Sequence, residues 1–174
     1  MMPGLFTIPI SGIKAGHHTF EFEIDKSFFD LFEESEIKEG EIIAVTEVFK
    51  SSSNLDLDIK ITGKVRICCD RCLEMFDQSV ESENRLFVKF GSINDDSDPE
   101  IITIPLDEYE LDLRQYFYEF IHLSLPIQRI HPDDAKGIST CDPAMLQKLK
   151  EHLVEKEKGD DPRWDELKKL MYNN

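Results

Sequence analysis

Two neighbouring segments decide the fold: Glu41-Ile-Ile-Ala-Val-Thr-Glu-Val-Phe-Lys50 and, after the turn Ser51-Ser-Ser-Asn54, Leu55-Asp-Leu-Asp-Ile-Lys-Ile61. The second segment alternates strictly between apolar and charged residues, which is typical of a strand with one wet face. Two such segments on either side of a Ser/Asn turn predict a β-hairpin. Gly63 interrupts the pattern, and the second strand is expected to resume toward Ile67.

Segments around this hairpin extend the predicted sheet. Residues 19–24 alternate between apolar and acidic side chains, and residues 80–90 and 101–104 have the composition of two further strands. Residues 26–34 bring several phenylalanines close together and predict one or two helical turns. The polar, acidic residues 91–100 lack the regular ligand spacing of a calcium loop, so they are expected to form a solvated loop.

The hydrophobic period changes after Pro105, where apolar residues recur at intervals of three and four and predict a helix that ends before Pro126. Asp142-Pro143 and Asp161-Pro162 each have the cap-then-proline pattern that begins a helix. Strands therefore precede helices, which predicts an α+β fold. We expect a mostly antiparallel sheet from the N-terminal two thirds, with helices of the C-terminal third packed on it. Residues 1–174 are expected to form one domain, with 142–174 as a helical C-terminal segment.

The charge of the chain restricts its partners. It has 20 Lys and Arg against 36 Asp and Glu, a formal net charge of -16. Proteins that bind nucleic acid directly neutralise phosphates with basic residues, so the average field here repels RNA. Residues 144–174 are balanced, with seven basic and seven acidic residues, so the acidic excess lies before residue 144. The charge favours basic partners such as ribosomal proteins, although ordinary solubility explains it equally well.

Location and membrane contact follow from simple patterns. No run of about eighteen apolar residues exists, so no membrane-spanning helix is expected. Residues 1–16 have no basic segment followed by an apolar core, so they are not expected to act as a signal peptide. The four cysteines include three crowded at Cys68, Cys69 and Cys72, unlike a spaced disulfide framework. A reducing cytoplasm is therefore the expected setting.

Cys69-Asp-Arg-Cys72 is the motif with the clearest chemical meaning. Two thiolates separated by two residues can bind one Zn²⁺, and a tetrahedral site then needs two more ligands. Cys141 and His131 would complete a Cys3His set, while His17, His18, His122 and His152 are further candidates. Alternatively, Cys69 continues the alternation of the strand and is only a small apolar core residue. A redox function is less favoured, because no helix evidently begins at the motif and no βαβ pattern surrounds it.

Catalytic motifs are missing from the sequence. It contains no phosphate-binding glycine loop, no Gly-x-Ser-x-Gly elbow and no His-Glu-x-x-His. Carboxylate pairs such as Asp56/Asp58 and Asp133/Asp134 are abundant, so none is distinguished as an acid–base pair. We therefore expect a protein without enzymatic activity and without an evident small-molecule substrate.

Three blocks of sequence resemble the hallmarks of the YceD family. A strand containing glycine is followed by Cys-x-Arg-Cys-Leu-Glu, a helix then ends in Leu-x-Leu-Pro, and a closing block reads Asp-Pro-Arg-Trp-x-x-Leu-x-x-Leu. The residues that match are Gly63, Cys69, Arg71, Cys72, Leu73 and Glu74 in the first block, Pro126 in the second, and Asp161, Pro162, Arg163 and Trp164 in the third. The blocks occur in the family's order and extend over nearly the whole chain.

This resemblance implies a role in the accumulation or processing of large-subunit ribosomal RNA, in bacteria and plastids, with no established enzymatic step. Many relatives carry a further cysteine cluster after the Leu-Pro segment, whereas this chain has only Cys141 there, with His131 nearby. The departure disfavours a four-cysteine site and leaves a Cys3His zinc site open.

The acidic charge suggests how that role is performed. Association with large-subunit rRNA is expected to be indirect, through a basic ribosomal or assembly protein, which makes the chain an adaptor. A zinc-stabilised RNA-binding module is the alternative, and an uncharacterised nuclease or RNA-modifying enzyme is the third hypothesis. In direct contact, Arg163 and Trp164 could stack on a base, although the spacing of Trp164 with Leu167 favours anchoring of the last helix to the core.

Overall fold

The computed structural model describes residues 5–91, 101–105 and 107–153, which form seven strands and three helices. The strands are β1 (Thr7–Pro9), β2 (Gly16–Ile24), β3 (Glu39–Lys50), β4 (Asn54–Cys68), β5 (Met75–Phe90), β6 (Ile101–Ile104) and β7 (Glu110–Asp112). The helices are α1 (Lys26–Phe29), α2 (Arg114–Leu123) and α3 (Pro143–His152). In this part of the chain no helix is both long enough and apolar enough to cross a membrane.

The predicted hairpin is the centre of a five-stranded sheet of order β2-β3-β4-β5-β6. Its turn is closed by the Ser51 amide, which donates to the Asn54 carbonyl at 2.9 Å. Strands β2 to β5 pair antiparallel with their neighbours, and only β6 runs parallel to β5. A mixed α+β fold with a mostly antiparallel sheet and later helices is thereby confirmed.

Alternation along the strands produces the hydrophobic core. On β4 the inward-facing side chains are almost fully buried (Leu55, Leu57, Ile59, Ile61, Val65 and Ile67). Aromatic side chains of α1 and α2 cover this inner face; the ring of Phe117 lies 5.2 Å from that of Phe22, and Phe28 is fully buried. Burial of each such side chain stabilises the fold by about 1.5–3 kcal/mol, which fixes the sheet register strongly.

Gly63 does not end the second strand of the hairpin, and β4 passes through it without a break. A Cβ atom at this position would lie 2.3 Å from the carbonyl oxygen of Glu41 and 2.7 Å from the Cα of Ile42. Glycine is therefore needed because the backbone of β3 approaches too closely for any side chain.

The structure differs from the sequence expectations at several boundaries. Strand β5 begins at Met75, five residues before the predicted start. The sequence did not indicate this earlier start, because the inward-facing Phe76 is followed by polar residues and gives no clear alternation. Strands β1 and β7 have three residues each and pair across about a hundred positions, so neither gives a local signal. Helix α1 is a single turn, in agreement with the one or two turns predicted. The predicted last helix, with Asp161, Pro162, Arg163 and Trp164, lies outside the described residues.

Candidate metal centre

A tight turn at the end of β4 holds the first two cysteines of the centre. The alternation of β4 continues one residue beyond the strand, so Cys69 points inward and is fully buried, and Cys72 is 3% exposed. The Cys69 carbonyl accepts from the Leu73 amide at 3.0 Å, and the Cys69 amide donates to the Glu74 carbonyl at 2.9 Å. Leu73 has a φ of +63°, a left-handed conformation that the turn requires and that a branched residue rarely adopts.

The loop between α2 and α3 brings His131 and Cys141 to the same place. Two reciprocal hydrogen bonds attach this loop to the turn: the Asp70 amide donates to the Arg129 carbonyl at 2.7 Å, and the Arg129 amide donates to the Asp70 carboxylate at 2.8 Å. The Arg129 guanidinium also donates to Glu36. The backbone two residues before His131 is thereby fixed against the cysteine turn.

The same loop then folds back on itself before Cys141. The Asp134 carboxylate accepts from the amides of Lys136 and Ile138, each at 2.8 Å, and Gly137 adopts a φ of +75°. Immediately after Cys141, the Asp142 side chain accepts from the Ala144 amide at 3.0 Å and begins α3. The position of Cys141 is therefore set by a turn on one side and a capped helix on the other.

The four side chains converge, and three of the distances between their ligand atoms match those of a tetrahedral zinc site. The sulfurs of Cys69 and Cys141 lie 3.7 Å apart, and His131 Nδ1 lies 3.4 Å from the Cys72 sulfur and 3.8 Å from the Cys141 sulfur. All four ligand atoms lie within 4.8 Å of one another. A regular tetrahedron with ordinary Zn–S and Zn–N bonds has edges of about 3.8 Å between sulfurs and about 3.5 Å between sulfur and nitrogen.

Backbone donors around Cys69 favour its thiolate form. Burial by itself raises the pKa of this thiol, but hydrogen bonds from the amides of Cys72, Arg71 and His131 lower the pKa to about 6. The Arg71 amide lies 3.5 Å from the Cys69 sulfur. The thiolate is the form that binds metal, so these donors favour the state in which Cys69 could act as a ligand.

Cys141 has the opposite electrostatic environment. A hydrogen bond with Ser139 lowers the pKa of this thiol, but burial and hydrogen bonding with Cys69 and Cys72 raise it on balance. All four cysteines of the chain are free. Several thiolates so close together repel one another, and a bound cation would relieve that repulsion.

The remaining histidines and Cys68 do not belong to this cluster. His131 is the one histidine that contacts the sulfurs, and its ring packs on Phe76 with 4.7 Å between ring centroids. The other candidates are elsewhere: His17 packs on Phe49, His18 contacts the Lys14 carbonyl, His122 contacts the Tyr118 carbonyl, and His152 is exposed at the end of α3. Cys68 is exposed and points away toward the Leu73 carbonyl.

The other residues of the sequence motifs surround the centre or lie apart from it. Arg71, Leu73 and Glu74 are exposed on the turn, and Pro126 is exposed just after α2. Gly63 serves strand packing, six positions before Cys69. Residues 69–74 connect two strands and no helix begins there, so the turn lacks the helix terminus that activates a redox cysteine pair.

Sequence reasoning did not find the attachment between Asp70 and Arg129. These residues are 59 positions apart, and neither belongs to a recognisable ligand pattern. The local sequence shows only that Asp70 lies between Cys69 and Cys72, and it does not indicate which residue the Asp70 carboxylate contacts.

Comparison with known proteins identifies the family. A family model described as "Large ribosomal RNA subunit accumulation protein YceD" matches residues 57–171. No curated protein and no solved structure matches the chain. The matched segment contains most of β4, all of β5, the cysteine turn and the loop that carries His131 and Cys141. Since the model covers well over half of the sequence, the chain belongs to the YceD family.

Proposed function

We propose that this protein supports the accumulation of large-subunit ribosomal RNA as a non-enzymatic adaptor that binds a basic ribosomal or assembly protein. The family match over residues 57–171 is the observation that carries this proposal, because the family's description names large-subunit rRNA accumulation. In this account the contact with rRNA is indirect and passes through the basic partner.

The charge distribution on the sheet supports an indirect contact. Four of the five cations of β4 and β5, all except Lys89, are paired with neighbouring acids (Lys60 with Glu83, Lys64 with Glu41 and Asp77, Arg66 with Asp77, and Arg85 with Asp58). These cations are therefore compensated before any ligand arrives. A polyanion would meet an acidic excess here, whereas a basic protein would meet a favourable field.

Zinc bound by Cys69, Cys72, His131 and Cys141 is part of the same proposal. With four protein ligands the site has no open position for a substrate, which is the pattern of structural zinc and not of catalytic zinc. The ion would connect the end of β4 to the loop before α3, so its contribution would be to the stability of the fold. A structural site of this kind agrees with an adaptor.

Affinity purification from cells tests the adaptor directly. The full chain carries a small tag, and the bound proteins and RNA are identified from two halves of one lysate, of which one is treated with ribonuclease. An adaptor keeps its basic protein partner after the treatment and loses the rRNA. Ultraviolet cross-linking in cells before lysis then tests whether rRNA contacts the chain itself. Cross-linked rRNA together with the absence of a protein partner after ribonuclease treatment would contradict the adaptor and favour a zinc-stabilised RNA-binding module.

A further inference from the structure

Strand β2 forms a long open edge of the sheet. It has nine residues and pairs only with β3, and within residues 5–91, 101–105 and 107–153 no further strand lies on its outer side. The opposite edge is β6, which has only four residues. Proteins usually protect a long edge with proline, charged side chains or a bulge; residues 16–24 contain neither proline nor lysine, and their charged side chains are the acids Glu21 and Glu23.

The solvent-facing side of this edge carries acids without a cationic partner. Glu21 and Glu23 lie on either side of the buried Phe22 in β2. Glu47, on the neighbouring strand β3, pairs with Thr19 of β2. None of the three acids forms an ion pair with another described residue, whereas Asp58, Asp77 and Glu83 of β4 and β5 each pair with a cation. The negative charge at the open edge is therefore not balanced by an ion pair among the described residues.

Apolar surface accompanies these acids. Ile43, which pairs with Glu23, is 45% exposed, and Val45, which pairs with Glu21, is partly exposed. A groove of about 540 Å³ next to them is lined in part by Glu23, Glu41 and Ile43. A ligand at this edge would therefore meet acids and apolar side chains together.

The charge pattern selects the kind of strand that could be added. A second copy of β2 would bring its own Glu21 and Glu23 against these acids, and like charges across a strand pair repel. An added strand with Lys or Arg at alternate positions would instead oppose them at about 5 Å. On the other face of the sheet the neighbours are Phe20 and Phe22, which favour apolar side chains between the basic ones.

We propose that the outer edge of β2 binds an extended segment of a protein partner, with basic and apolar residues in alternation, as a sixth strand of the sheet. The proposal rests on the adaptor function and supplies its contact surface. Backbone hydrogen bonds to the edge would give affinity, and Glu21, Glu23 and Glu47 would give selectivity for a basic sequence.

Peptide binding to the full-length zinc-loaded protein tests the edge. The probe is a fluorescent, end-blocked peptide Lys-Val-Lys-Val-Lys-Val, and its control has Glu in place of each Lys. A second control carries N-methyl groups on alternate amides, which keeps the charge and removes the backbone donors. We expect the first peptide alone to bind and to protect backbone amides of residues 16–24 from hydrogen exchange. Equal binding of the methylated peptide, or protection elsewhere, would overturn strand addition.

Charge reversal provides the matched test on the protein. The double variant Glu21→Lys/Glu23→Lys should bind the basic peptide about tenfold more weakly or worse. Glu33→Lys/Glu34→Lys changes the net charge equally at exposed positions outside the strands, and it should bind like the wild type. Equal loss in both variants would show that overall charge, and not the edge, binds the peptide. The melting curve of each variant verifies its fold.

A complementation experiment in cells distinguishes this proposal from the adaptor function itself. The ratio of large-subunit to small-subunit rRNA is measured in a deletion strain that carries either the wild type or Glu21→Lys/Glu23→Lys. We expect the wild type to restore the ratio and the variant to fail. If both restore it, the edge is not the contact and the adaptor function stands. If deletion does not change the ratio, the adaptor function is wrong. The peptide-binding measurement still decides whether the edge of β2 binds an added strand.

Discussion

Cys69 and Cys141 lie 72 positions apart in the sequence, and their sulfurs are 3.7 Å apart in the structure. The first follows the last residue of a sheet strand, and the second precedes the cap of helix α3. A contact between such distant parts of the chain closes a long loop, which is costly in conformational entropy. A metal ion that binds both sulfurs would offset that cost.

Protein produced in zinc-containing medium should carry one zinc per chain, because the four ligand atoms fit one tetrahedral ion. Chelation should lower the melting temperature by about 10 °C or more, since a structural zinc contributes several kcal/mol to folding. Elemental analysis and thermal denaturation measure the two effects. Cys69→Ser/Cys72→Ser should lose the metal, and Cys68→Ser, which changes an exposed cysteine outside the cluster, should retain it. A zinc content near zero in the wild type would show that the cysteines only pack.

Asp70→Ala should loosen the loop that carries His131 and Cys141, because it removes the carboxylate that accepts from the Arg129 amide. We expect a loss of about 1–2 kcal/mol in the free energy of unfolding and faster transfer of zinc to a competing chelator. Glu74→Ala, an exposed neighbour on the same turn, is the control. Unchanged zinc transfer in Asp70→Ala would mean that the metal ligands are positioned without this attachment.

Gly63→Ala should destabilise the sheet by about 2 kcal/mol or more, because the new methyl group would overlap the Glu41 carbonyl at 2.3 Å. Gly12→Ala is a matched control, since the nearest atom to its added Cβ lies at 3.6 Å. Urea denaturation compares the two variants. Equal stability of both would contradict the close approach of β3 and β4 at this position.

The purified protein should bind naked rRNA weakly or not at all at physiological salt, because the net charge of -16 opposes the phosphates. Filter binding or fluorescence anisotropy at several salt concentrations measures this. Submicromolar affinity that falls steeply with added salt would reveal a basic surface that the average charge conceals, and the balanced residues 144–174 would be the first place to examine.

The sequence predicted the hairpin and the ligand set for different reasons. Strict alternation over residues 55–61 is a local signal, so the hairpin and its inner face follow from it directly. The two interpretations of Cys69, as a core residue or as a metal ligand, turn out to be compatible, because its side chain is fully buried and also lies in the cluster. That it binds zinc remains a prediction.

Other features depend on contacts that no local pattern encodes. The early start of β5 follows from its pairing with β4, where Met75 lies opposite Cys68. Likewise, the bonds between Asp70 and Arg129 depend on where α2 ends relative to the cysteine turn, which only the tertiary fold determines. Sequence periodicity reports burial within one element and does not specify which distant residue will be adjacent.

The ratio of large-subunit to small-subunit rRNA in a clean deletion strain is the most direct test of the central claim. It should be measured at several growth temperatures, with the wild-type chain supplied in trans as the control for restoration. We predict that the ratio falls on deletion and returns on complementation, as expected for a member of the YceD family. A ratio that stays equal to that of the parent strain at every temperature would contradict the proposed role in rRNA accumulation.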